Sequence, residues 1–94
     1  MEIKSEQYGY KFEIPDRPTV RQQMEYLSAA AGEALLVRFW LAAKTLITKW
    51  QCEKLPDFDI DLDKLNAPSV TMILIDAGLQ VKNFMDALED IPKN

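Results

Sequence analysis

The sequence predicts a mainly α-helical fold, in which three helices form a small domain that follows a short N-terminal β-strand or hairpin. Three observations predict it. Apolar residues recur at helical spacing over residues 20–31, 33–53 and 68–89. A strand or hairpin is predicted within residues 1–14, where residues from Tyr8 to Ile14 alternate as is typical of a strand. The length of 94 residues suits one domain, over residues 1–94, with a small core.

The strand is predicted from the alternation of apolar with glycine or charged residues between Tyr8 and Ile14. It can pair with Glu2–Lys4 across a turn near residues 5–7, and the prolines that follow stop it. Because a two-stranded hairpin is marginal alone, it must pack on the helices or extend into a sheet with another chain. An exposed edge would accept a partner strand.

The first helix, over residues 20–31, is predicted to begin with a capping box. Thr19 is the expected N-cap and Gln22 occupies the third helical position. The apolar stripe of this helix comprises Val20, Met24, Leu27 and Ala31.

The second and third helices are predicted to be the long ones. Residues 33–53 carry a wide apolar face, made of Leu35, Leu36, Phe39, Trp40, Ala43, Leu46, Ile47 and Trp50. Asn66 or Ala67 is expected to cap the helix over residues 68–89, with Pro68 in its first turn. Gly78 inside this helix predicts a close helix crossing, since glycine otherwise costs about 1 kcal/mol there.

Residues 54–67 are predicted to form an acidic loop, in which four aspartates alternate with apolar residues from Asp57 to Asp63. Three interpretations are open. The aspartates fit the first half of a calcium loop, but Leu62 and Pro68 stand where the turn glycine and the bidentate glutamate belong. The segment can instead be a solvated loop with its apolar side chains turned inward. It can also be an acidic patch for a basic partner.

The composition disfavours catalysis and several classes of partner. The chain has no histidine, one cysteine and three glycines, so no catalytic base pair, cofactor site, metal site or phosphate loop is predicted. A net charge of -4 with scattered basic residues disfavours nucleic acid and anionic membranes. Arg38 and Lys44 interrupt the most apolar stretch, which is therefore not a membrane span. We expect neither an enzyme nor a small-molecule substrate.

The broad apolar faces can be read as core or, in part, as an interface. A helix-accepting face is expected at Leu36, Phe39, Trp40, Ala43, Ile47 and Trp50. Strand contact is expected at Tyr8, Tyr10 and Phe12. Because the core is small and these faces are broad, we also expect a homo-oligomer.

Three segments carry a resemblance to a family. They are K-F-E-I-P-D-R-P-T-V-R-Q-Q (Lys11–Gln23), W-L-A-A-K-T-L-I-T-K-W-Q-C-E-K-L-P-D (Trp40–Asp57) and A-L-E-D-I-P-K-N (Ala87–Asn94). With its size and acidity, the chain resembles the tail assembly chaperones of tailed bacteriophages. The resemblance implies a helical protein of the host cytoplasm that binds the tape measure protein and the tail tube protein during tail morphogenesis. It carries no defined site residues.

Two other functions stay open from the sequence. One is a structural protein of the virion, such as a head decoration, neck or tail subunit, which would use the same surfaces for permanent contacts. The other is a small enzyme or calcium module, for which the sequence offers little support.

Overall fold

The architecture is an α+β fold and not the mainly α, three-helix domain that the sequence predicts. The computed structural model describes residues 1–29 and 32–88. Along the chain lie β1 (Glu2–Ser5), β2 (Tyr10–Glu13), α1 (Val20–Ser28), α2 (Leu35–Lys44), β3 (Thr48–Cys52), a 3-10 turn (Leu62–Lys64) and α3 (Pro68–Leu88). The strands form one antiparallel sheet in the order β1-β2-β3.

The predicted helix over residues 33–53 is wrong beyond residue 44. Helix α2 ends at Lys44, and the Thr45 hydroxyl donates to the carbonyl of Ala42 at 2.7 Å. The chain then turns and forms β3. Residues 45–52 are rich in β-branched and aromatic side chains, which favour a strand when a neighbouring strand is present to pair with them. That neighbour is β2, 35 or more residues earlier in the chain.

The predicted N-terminal hairpin is confirmed, but its turn covers residues 6–9 instead of 5–7, and the second strand begins at Tyr10 instead of Tyr8. Ile3 lies opposite Phe12, and Ser5 lies opposite Tyr10. Gly9 closes the loop with a φ of 71°, a conformation that glycine adopts without steric cost, and its N–H donates to the Ser5 carbonyl at 2.8 Å. However, β2 is the central strand and not an edge. The sheet is extended by β3 of the same chain, so no second chain is needed to cover β2.

A β-bulge in β3 lies next to Trp50. Lys11 pairs with Gln51 and Glu13 pairs with Thr48, so β3 contains one additional residue over this stretch. Lys49 adopts a φ of 54° there. The Trp50 ring lies on the same sheet face as Tyr10 and stacks on it, because Trp50 is two residues from Cys52, the pairing partner of Tyr10.

The core lies between one face of the sheet and helices α2 and α3. Its buried side chains come from all three strands and all three helices. The opposite sheet face is polar and exposed, with Glu2, Lys4, Lys11 and Gln51 on it. No helix in the described part of the chain combines the length and the apolar character needed to cross a lipid bilayer.

The capping box at the start of α1 is confirmed. The Gln22 N–H donates to the Thr19 hydroxyl at 3.1 Å, and the Thr19 N–H donates to the Gln22 side-chain oxygen at 2.8 Å. Helix α3 begins at Pro68, as predicted. The predicted ends of the first and third helices, residues 31 and 89, lie outside the described residues.

The close helix crossing predicted at Gly78 is present between α3 and α2. A Cβ atom added to Gly78 would lie 3.1 Å from the backbone carbon of Phe39 and 3.1 Å from the backbone nitrogen of Trp40. Both atoms belong to the α2 main chain, so neither can rotate away as a side chain can.

Gly78→Ala is expected to lower the free energy of unfolding by about 1 kcal/mol. Overpacking costs about 1–3 kcal/mol, which exceeds the roughly 1 kcal/mol of helix propensity gained. Urea unfolding followed by tryptophan fluorescence measures the change. Asn83→Ala, at an exposed position of the same helix, serves as the control and should be neutral or slightly stabilising. A stabilised Gly78→Ala protein would contradict the close approach.

Candidate functional site

The contact residues proposed from sequence do not share one surface. Because α2 ends at Lys44, Ile47 and Trp50 lie outside the helix that carries Leu36 and Trp40. Five of the nine are buried in the core: Tyr10, Phe12, Trp40, Ala43 and Ile47. Three are half-buried: Tyr8, Phe39 and Trp50. Leu36 is the exposed one, with 46% of its surface accessible.

Five aromatic rings form a cluster that joins the sheet to α2 and to the acidic loop. They belong to Tyr10, Phe12, Trp40, Trp50 and Phe58, and the contacting rings lie 5.6 to 6.2 Å apart between centroids. Such pairs prefer stacked or edge-to-face geometry, and both occur here. The tryptophans are therefore central to the packing of the folded chain.

The two indole N–H groups differ in their partners. The N–H of Trp50 donates to the carbonyl oxygen of Leu55 at 2.6 Å, which holds the start of the acidic loop against the sheet. The indole N–H of Trp40 is buried and has no acceptor among the described residues.

A hydrogen bond between Tyr10 and Asp76 fastens the sheet to α3. The Tyr10 hydroxyl donates to the Asp76 carboxylate at 2.5 Å. Burial raises the pKa of Tyr10 well above its usual range, and the neighbouring Asp76 carboxylate raises it further. The hydroxyl therefore stays protonated and keeps donating its hydrogen bond, and this pair stabilises the fold.

The acidic loop matches the interpretation of a solvated loop with inward apolar side chains. Phe58, Ile60 and Leu62 pack against the core, and the four aspartates are exposed. The Asp57 and Asp61 carboxylates accept the backbone N–H groups of Asp59 and Asp63, at 2.9 and 3.0 Å. Among the described residues, no three histidine, cysteine, aspartate or glutamate side chains are grouped as metal ligands.

An apolar groove lies between α2, the 3-10 turn and the first half of α3. Its volume is about 260 Å³. Exposed Leu36 and Leu65 stand at its walls, and Trp40 contributes the buried indole. The full lining is Leu36, Val37, Trp40, Leu62, Leu65, Val70, Thr71, Leu74 and Ile75. We name this feature the α2–α3 groove.

Sequence reasoning identified Leu36 and Trp40 of the α2–α3 groove but missed the rest. The other lining residues are Val37 of α2, two leucines at the 3-10 turn and four residues in the first half of α3. Leu62 and Leu65 were a signal for the groove in the sequence, because they are apolar residues in a largely polar loop.

A second apolar surface lies on α1, and we name it the α1 stripe. Val20, Met24 and Leu27 recur along this helix with 64% to 76% of their surface exposed. Tyr26 is the buried residue of α1. The helix therefore turns the stripe expected from sequence toward solvent, and its fourth predicted member, Ala31, lies outside the described residues.

The chemistry of these surfaces is apolar contact. The one cysteine, Cys52, is buried, and the chain has no histidine.

The chain matches no protein-family profile, no curated protein and no solved structure.

Proposed function

We propose that the protein binds other proteins without catalysing a reaction, and that the α2–α3 groove accepts an amphipathic helix of a partner. The observation that carries this proposal is the apolar groove with Leu36 and Leu65 exposed beside it. A cavity of roughly 150 Å³ holds one benzene ring. A groove of about 260 Å³ therefore has room for one or two large apolar side chains, as helix anchors require.

The sheet favours this mode of binding over strand addition. Strand β2, which carries Tyr10 and Phe12, has a neighbour on each side, so it offers no free backbone groups. The edges are short: β1 has four residues and β3 has five. The bulge at Lys49 and the charges of Glu2 and Lys4 are features that disfavour pairing at an edge.

We propose further that the protein acts as a tail assembly chaperone of a tailed bacteriophage, the family that its sequence resembles. Its partners are then the tape measure protein, whose long helices supply the bound segment, and the tail tube protein. The site of action is the host cytoplasm, with no cofactor. A groove that covers one apolar stretch of a helical client suits reversible binding.

The α1 stripe favours a second candidate function, a structural subunit of the virion. Permanent interfaces are larger and more hydrophobic than transient ones, and Val20, Met24 and Leu27 form an exposed apolar row. Contact through this row is also the simplest route to the homo-oligomer expected from sequence. Mass spectrometry of purified particles separates the two functions, because a structural subunit would be present in stoichiometric amounts.

Co-expression with the tape measure protein tests the first function. The wild-type chain should raise the soluble fraction of the tape measure protein severalfold, and Leu36→Asp combined with Leu65→Asp should abolish the gain, since charge in an apolar site costs several kcal/mol. Both positions are exposed, and an aspartate at Leu36 lies in the first turn of α2, where it suits the helix dipole. The variant should therefore fold.

Met72→Asp is the matched control for this experiment. Met72 is 45% exposed, close to the 46% of Leu36, and it lines a different cavity. This control should retain the solubilising effect. A tape measure protein that stays equally insoluble with and without the wild-type chain would rule the chaperone function out.

A further inference from the structure

We infer that the partner segment in the α2–α3 groove is basic on one flank, with lysine or arginine facing the aspartates at residues 57–63 of the acidic loop. This inference rests on the proposed function, because it names the chemistry of the groove's occupant.

The acidic loop lies directly beside the groove. Leu62, a groove residue, stands between Asp61 and Asp63 in the chain, and the 3-10 turn that starts at Leu62 also brings in Leu65. The carboxylate of Asp61 accepts the N–H of Asp63, which holds this acid at the start of the turn. An occupant of the groove therefore passes close to fixed negative charge.

Most of this charge is not neutralised by the residues that the structure describes. Lys44 forms an ion pair with Asp59 at 3.1 Å. The described residues give no ion-pair partner to Asp57, Asp61 or Asp63. Lys64 is the one cation among residues 57–65, so negative charge prevails there.

The other walls of the groove do not counter this charge. The α3 residues that line it, between Val70 and Ile75, are uncharged. On α2, Arg38 lines a separate cavity with Tyr26 and Lys82, on the side away from the groove lining. An occupant with one apolar face and one basic flank would contact the leucines through the apolar face and pair with the aspartates through the basic flank.

Complementary charge of this kind contributes more to specificity and to the rate of association than to affinity. Exposed pairs are also screened by salt, and the Debye length falls to about 3 Å at 1 M ionic strength. The inference thus predicts a preference for basic over acidic segments that weakens as salt is added.

Two synthetic helical peptides test the inference. They share one leucine face at positions i, i+3, i+4 and i+7, and they carry either lysine or glutamate on the flanks. Isothermal titration calorimetry with the full chain should show binding about tenfold tighter for the lysine peptide at low salt, with most of that preference lost at about 1 M salt.

A neutralised variant locates the charge that is responsible. Asp61→Asn with Asp63→Asn removes two charges but keeps a side-chain oxygen that can accept the backbone N–H at residue 63. Its preference for the lysine peptide should fall severalfold. Glu2→Gln with Glu6→Gln changes the net charge equally at exposed positions outside the groove lining, and this control should keep the full preference.

The outcomes separate the inference from the proposed function. Equal binding of both peptides would overturn the basic flank and leave the groove as a helix site. An equal loss of preference in the two double variants would also overturn it, because the net charge of the chain would then explain the effect. If neither peptide binds, the groove itself is overturned as a helix site.

Discussion

Phe12→Ala is expected to lower the free energy of unfolding by about 3–5 kcal/mol, the usual cost of removing a fully buried aromatic ring. Phe12 is completely buried on the central strand, stacks on Tyr10 and Trp50, and lies opposite Ile3 in the sheet. Domains are stable by about 5–15 kcal/mol in total. The loss is therefore a large part of the whole, and part of the population should unfold near physiological temperature.

Urea unfolding measures this loss, with tryptophan fluorescence as the signal, because Trp40 and Trp50 both lie in the aromatic cluster around Phe12. Lys11→Ala is the matched control, since Lys11 neighbours Phe12 on the exposed face of the same strand. It should change the free energy by less than about 0.5 kcal/mol. A loss below about 1 kcal/mol for Phe12→Ala would contradict the described core.

Tyr10→Phe is expected to cost about 1.5–3 kcal/mol, because it removes a partly buried hydrogen bond to a charged acceptor. The substitution keeps the ring and its stacking on Trp50, so the measured loss reports the 2.5 Å bond to Asp76 that joins β2 to α3. Asp76→Asn provides the comparison, since an amide oxygen can still accept the hydroxyl while the charge is gone. It should cost less than Tyr10→Phe.

The raised pKa values of Tyr10 and Tyr26 predict a loss of stability in alkaline solution. Burial raises the pKa of Tyr10 above the ordinary value of about 10, and burial and Asp86 raise the pKa of Tyr26 in the same direction. The unfolded chain then releases these protons first as the pH rises. The stabilisation is complete below about pH 10 and is lost progressively above it.

The free energy of unfolding, measured by urea titration at a series of pH values, checks this prediction. It should fall above about pH 10 in the wild-type chain. Tyr10→Phe should show a shallower fall, because one of the two shifted groups is gone. An identical slope in both proteins would mean that Tyr10 is not responsible for the pH dependence.

The parts of the fold that were predicted correctly depend on short-range chemistry. The Thr19–Gln22 capping box and the start of α3 at Pro68 each follow from a few neighbouring residues. The inward turn of Phe58, Ile60 and Leu62 was among the interpretations of the acidic loop because alternation is also local. The crossing at Gly78 was inferred from the cost of glycine in a helix.

The wrong predictions concern residues whose partners are distant in the chain. A short segment with several apolar residues, such as residues 45–52, fits a helix or a strand, and periodicity alone does not separate them. Pairing with β2 decides for the strand and places Trp50 on the aromatic cluster. Helix α1 begins at Val20 as predicted but ends at Ser28, and it turns Val20, Met24 and Leu27 toward solvent.

The candidate site was predictable only in part for the same reason. Leu36 and Trp40 could be identified from the α2 periodicity, but the groove exists because the 3-10 turn and α3 come to lie beside them. The absence of histidine, the single cysteine, the acidic balance and the local caps and turns were determined by the sequence itself, since each depends on residue identity or near neighbours. The tertiary structure alone decided which apolar residues are core and which are surface, because that choice depends on contacts between distant segments.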